Sequence, residues 1–188
     1  VVEYTLTAAP GTATVAPGTT IPALLFNGTL PGPTLTATQG QTLRVRFVNG
    51  LPGHSSLHWH GIRLPSGMDG VIGVSRPAVA PGQEFISEFV AVDPGTYWFH
   101  PHHGVQLDRG LYGPLIVEDA GEKADYDDEL VLVLDDWIDG TGTNPDQVLE
   151  NLRNTGMKPM APGGPGVTPT SPLGEDGGDV TYPHFVIN

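Results

Sequence analysis

The chain has 188 residues, room for one domain of ordinary size with part of a second, and 38% of them are hydrophobic, enough for a packed core. Eight basic against 21 acidic residues give a net charge of -13, a field that repels phosphate backbones and disfavours nucleic acid as a partner. The absence of cysteine excludes disulfides, thiolate metal sites and cysteine nucleophiles.

In chain order, the opening "VVEYTLTAA" lacks Met, which suggests a processed or trimmed N-terminus. Period-two alternation predicts strands in "EYTLTA" (3–8), "TLRVRFVN" (42–49) and "EFISEFVA" (84–91). "GLYGPLIVED" and "ELVLVLDDW" are nearly continuous apolar runs and read as more deeply buried strands. Turn signals at Pro31-Gly32-Pro33, Gly50 to Gly53, Pro81-Gly82 and Pro94-Gly95 separate them, as in a sandwich or Greek-key barrel. One helix is predicted over "NPDQVLENLRN", with Asn144 as cap, Pro145 in the first turn and Asp146 against the helix dipole. Val148, Leu149 and Leu152 share a face, expected to pack on the barrel. Residues 156–179 are rich in Pro and Gly, have no period and read as a linker or surface loop. Met157 and Met160 within it are soft enough for Cu(I), but two loop methionines more often have no such role. "VTYPHFVIN" (180–188) then reads as the first strand of a second domain cut short, after an N-terminal domain of residues 1–155. No apolar run approaches the length of a membrane span, and no signal peptide is recognisable.

Seven histidines are present, and four form two His-x-His pairs: His58 and His60 around Trp59, His100 and His102 around Pro101. Residues i and i+2 of a strand project from one face, so each pair aims two imidazoles into one space. One such pair is commonly two polar side chains near a strand end; two pairs, each at the end of an apolar run and near a glycine, point to metal ligation. Neutral imidazole suits copper, zinc, iron and nickel alike, and a hydrolytic zinc site stays open. Pro101 lacks an N–H, which places its pair at a strand terminus or sheet edge. His103 is out of phase and reads as a bystander, and His54 and His184 are isolated. No serine has a nucleophile-elbow context, and no glycine-rich stretch carries a Walker lysine.

The stretches "FNGTLPGPTLTATQGQTLRVRFVNGL", "HWHGIRLPSGMDG", "PGTYWFHPHHG" and "RGLYGPLIVED" lie in this order between residues 26 and 119. In them the chain resembles the N-terminal cupredoxin domain of multicopper oxidases, the laccase and copper-efflux oxidase family. The resemblance implies an all-β, cupredoxin-like Greek-key barrel or sandwich with one short helix. It also implies an oxidoreductase using O2 as acceptor, in which three coppers held by four His-x-His pairs reduce O2 to water. Two of those pairs come from the first cupredoxin domain. By resemblance His58 would bind the type 2 copper, His60 and His100 would share one type 3 copper, and His102 would bind the other. Asp69 in "SGMDG" matches an acidic residue that relays protons, although an aspartate before Gly70 is also an ordinary β-turn residue.

The other two pairs and the Cys-His path to the type 1 copper have no counterpart here, so the chain by itself cannot carry a type 1 site. The resemblance is closer to three-domain bacterial enzymes than to two-domain laccases. The implied partners are the remaining cupredoxin domains of the same polypeptide, O2, and a small phenolic, amine or metal-ion reductant. The implied location is secreted or periplasmic. A non-enzymatic copper carrier and a cupredoxin domain that keeps its histidines without metal are the alternatives.

Overall fold

The computed structural model describes residues 1–123, 126–139, 142–155, 180, 182 and 184–188. The chain forms β1 (Val2–Ala16), β2 (Thr19–Phe26), β3 (Leu35–Thr38), β4 (Thr42–Asn49) and β5 (His58–His60). A short 3-10 turn, Ser66–Met68, precedes β6 (Glu84–Val90), β7 (Gly95–His100) and β8 (Gly113–Glu118). Then come β9 (Leu134–Trp137), α1 (Pro145–Thr155) and β10 (His184–Ile187). The molecule is mostly strand in mixed sheets, with one α-helix among the described residues, as expected.

The described strands form two four-stranded sheets, β2-β1-β4-β6 and β3-β8-β7-β5, and a two-stranded pair of β9 and β10. β1 runs parallel to β4 and β3 parallel to β8, while β4–β6, β5–β7 and β7–β8 are antiparallel. Period-two sequence becomes sidedness here. In β4, Leu43, Val45 and Phe47 point inward and are fully buried, whereas Arg44 and Arg46 point outward. Those arginines pair across the outer face with Glu3 and Glu88, and with Glu84. Such exposed pairs contribute little stability, but they agree with the register.

The inner faces of both four-stranded sheets share one core. Phe26 of β2 meets Phe99 of β7 edge-on with ring centroids 5.4 Å apart, and Trp59 of β5 meets Phe89 of β6 at 5.2 Å. The Trp59 indole N–H donates to the buried Ser87 hydroxyl at 2.9 Å, so the ring is both packed and hydrogen-bonded. β5 is thereby pinned to the core through its central residue, with its two histidines on the other face.

The chain divides into two compact units. The first comprises Val1–Ala13, Pro22–Val133 and Ile187–Asn188, and the second Thr14–Ile21 and Leu134–Val186. The whole core cluster and both His-x-His pairs belong to the first. In the second, α1 starts where expected and is closed by a reciprocal box. The Gln147 N–H donates to Asn144 Oδ1, and the Asn144 N–H to Gln147 Oε1, each at 3.1 Å. The domain boundary expected at residue 155 falls within this second unit, and the expected linker, 156–179, lies outside the described residues, as do Met157 and Met160.

Two elements differ from the sequence reading. β1 runs on to Ala16 through Pro10-Gly11, because β4 pairs only with Val2–Ala8, so the missing N–H of Pro10 faces no β4 partner. The run 129–137 is strand only from Leu134 onward, and Leu130, Leu132 and Leu134 are exposed rather than buried.

Gly113 of β8 tests the packing of this core. A Cβ there would lie 2.4 Å from Phe99 Cζ, and Phe99 is fully buried. Gly113→Ala is expected to destabilise the fold by about 1–3 kcal/mol through overpacking. Gly53→Ala, where an added Cβ meets nothing within 4 Å, is expected to stay within about 0.5 kcal/mol. Urea denaturation of both variants checks this, and equal midpoints would contradict it.

Candidate metal centre

The antiparallel register sets His58 opposite His100, Trp59 opposite Phe99 and His60 opposite Trp98. Trp59 and Phe99 face the core, so His58, His60, His100 and Trp98 share the opposite face. β5 is the edge strand of its sheet, β7 ends at His100, and Pro101 follows, which places the pair at a strand terminus as predicted. Beyond Pro101 the His102 N–H donates to the buried Ser56 hydroxyl at 2.8 Å, tying the "HPH" segment to the residue two positions before His58.

The four imidazoles converge. Ligand atoms of His58, His100 and His102 all lie within 4.8 Å of one another. The His58 ring centroid is 4.5 Å from that of His102 and 5.3 Å from that of His100. His60 lies outside that trio, but its Nδ1 is 3.2 Å from His100 Nε2. His60 also stacks on Trp98 at 4.8 Å, which holds an otherwise exposed ring flat against β7.

Hydrogen bonds fix two ring tautomers. His58 Nδ1 lies 2.7 Å from the Asp69 backbone carbonyl, and His100 Nδ1 lies 3.1 Å from the Pro101 carbonyl. A carbonyl oxygen only accepts, so both Nδ1 atoms carry the hydrogen and both Nε2 atoms present a lone pair. Burial pushes the His100 pKa down to about 4, with the neighbouring imidazoles adding to the effect and the Pro101 carbonyl opposing it. His102 is also held below the ordinary histidine range, first by burial and then by His58, with Asp69 opposing. A metal needs such neutral, lone-pair-bearing rings.

The donor set fits copper. It is all imidazole, and two nitrogens 3.2 Å apart match two ligands on one ion at bond lengths of about 2 Å and a near-tetrahedral angle. Asp69 sits at the rim, partly exposed, with Oδ1 3.3 Å from His58 Nδ1. His103 and His54 are exposed and contribute backbone carbonyls to Gln106 instead. His184 lies on β10, away in sequence from both pairs. Sequence reasoning missed Ser56, Trp98 and the carbonyls of Asp69 and Pro101. Only the period-two spacing of Ser56 from His58, and of Trp98 from His100, could have suggested them.

The family model described as multicopper oxidase matches residues 7–122, and the chain belongs to that family. Its two sheets are cupredoxin-like.

Among its relatives is the multicopper oxidase MmcO of Mycobacterium tuberculosis, 42% identical over 195 residues, a match covering all of this chain and 38% of MmcO. The crystal structure of a multi-copper oxidase from Pseudomonas thermotolerans is 46% identical with a TM-score of 0.68, over 72% of this chain and 33% of that one. Fet3p, described as a multicopper oxidase that functions in iron import, matches at 25% identity and a TM-score of 0.75, over 99% of this chain and 32% of its own. The chain thus spans well under half the length of these relatives.

The buried, neutral His100 gives a pH signature to the metal-free protein. Its folded pKa lies below the ordinary 6.5, so between those values the unfolded chain takes up a proton that the folded chain refuses. The associated stability is complete above pH 6.5 and is lost as pH falls toward 4. Thermal melts of metal-free protein from pH 7 to 5 should show a falling midpoint, with a shallower fall in His100→Gln. An unchanged slope in that variant would contradict the assignment.

Proposed function

We propose that this chain is the N-terminal part of a laccase-like multicopper oxidase and supplies half of the histidine ligands of its trinuclear copper cluster. The observation that carries this reading is the convergence of four imidazoles, three from the adjacent strands β5 and β7 and the fourth, His102, from just beyond the end of β7. His58 would hold the type 2 copper through Nε2. His60 Nδ1 and His100 Nε2, 3.2 Å apart, would share one type 3 copper, and His102 would hold the other. Bound copper would supply the one-electron chemistry that reduces O2, and the reductant would be a phenol, an amine or a metal ion.

The chain's own residues hold the site in register and manage protons. β5 and β7 orient the rings of His58, His60 and His100, the Ser56 hydroxyl anchors the backbone of His102, and Trp98 restrains His60 from one side. Reduction of O2 to water consumes protons, and Asp69 would deliver them; its partly exposed carboxylate, with Oδ1 3.3 Å from His58 Nδ1, supports that role. The remaining two His-x-His pairs and the cysteine of the type 1 copper would come from further cupredoxin domains of the same polypeptide. The absence of cysteine here and the share of the relatives' length that this chain spans support that reading. A secreted or periplasmic location goes with the family; no helix among the described residues is long and apolar enough to cross a membrane.

In the full-length protein, His58→Ala or His102→Ala should reduce O2 consumption to background while the blue colour of the type 1 copper persists. An oxygen electrode and a visible spectrum on the same samples decide it. Continued O2 uptake in either variant would overturn the ligand assignment.

A further inference from the structure

We propose that the turn Ser66–Gly70 is the positioning element of His58, and that it acts through the Asp69 backbone carbonyl and through Gly70, separately from the Asp69 carboxylate. The inference rests on the reading of His58 as a copper ligand. Asp69 offers His58 Nδ1 two oxygens, and the carbonyl is the nearer, at 2.7 Å against 3.3 Å for Oδ1. The shorter contact is to main chain, so it survives any change of the Asp69 side chain that leaves the turn intact.

The place of that carbonyl is set by Gly70. This residue is buried with φ of +77°, and a Cβ on it would stand 1.8 Å from the Leu57 carbonyl oxygen, 2.5 Å from its carbon and 3.0 Å from the His58 nitrogen. Only glycine accepts both the left-handed backbone and this approach to the peptide that enters β5. The turn therefore lies directly on the backbone that carries His58. It is braced on the other side: the Met68 and Asp69 N–H groups donate to the Pro65 and Ser66 carbonyls, and the Met68 side chain packs on the core. After Gly70, the Val71 N–H donates to the Ser75 hydroxyl at 2.8 Å. A carbonyl held this firmly keeps hydrogen on Nδ1 and leaves Nε2 as the ligand atom. Such an outer partner is commonly worth 10- to 100-fold in metal affinity.

The test uses full-length protein and two readouts: the histidine tautomer by 15N NMR on the metal-free form, and the type 2 copper EPR signal during copper titration. Wild type and Asp69→Ala should both show His58 as the Nδ1–H tautomer and retain the type 2 signal, although Asp69→Ala turns over more slowly. Gly70→Ala should keep the blue colour that reports a folded protein, and bind type 2 copper about 10- to 100-fold more weakly. Loss of the Nδ1–H tautomer in Asp69→Ala would assign the role to the carboxylate and overturn the proposal, as would undiminished type 2 copper in Gly70→Ala. Should Gly70→Ala lose its blue colour, the tautomer in wild type and Asp69→Ala decides the matter alone. His58→Ala separates the two levels: if it keeps type 2 copper, His58 is not the ligand, whatever its tautomer.

Discussion

The histidine cluster depends on the antiparallel register of β5 on β7. Because strand residues alternate between faces, setting Trp59 opposite Phe99 in the core forces His58 and His100 to stand opposite each other outside it. A slip of β5 by one residue would exchange its faces, burying the imidazoles of His58 and His60 beside Phe89 and Phe99 and exposing the Trp59 ring. The hydrophobic core therefore enforces the geometry of the clustered imidazoles. The Trp59 bond to Ser87 and the edge contacts of Phe26 and Phe89 stabilise the fold and position the site together.

The outer partners refine what the register begins. Carbonyls of Asp69 and Pro101 take the Nδ1 hydrogens of His58 and His100, and the Ser56 hydroxyl fixes the backbone of His102. Burial keeps His100 neutral well into the acid range. The cluster is thus prepared for a cation by lone pairs and desolvation, and not by carboxylates, although the chain as a whole is strongly acidic. Arg44, Arg46 and Arg63, three of the eight basic residues, are paired with carboxylates elsewhere.

Much of this was legible in the sequence. The alternation in 42–49 gave β4 to the residue, and the two His-x-His pairs named the four rings that meet. Phase alone set His103 apart. What could not be read were contacts made by backbone atoms or between distant positions: Ser56 with His102, 46 residues on, and the Asp69 carbonyl with His58, 11 residues back. Gly70 in "MDG" looks like an ordinary turn glycine until the strand it presses against is known. The run at 129–137 misled because a continuous apolar stretch does not reveal what covers it; Leu130, Leu132 and Leu134 are exposed among the described residues.

The most direct test is diffraction at the copper absorption edge from crystals of the full-length, copper-loaded protein. Anomalous peaks should fall beside His58 Nε2, between His60 Nδ1 and His100 Nε2, and beside His102. An occupied cluster with no peak within bonding distance of these nitrogens would contradict the assignment of this chain as the supplier of half the copper site.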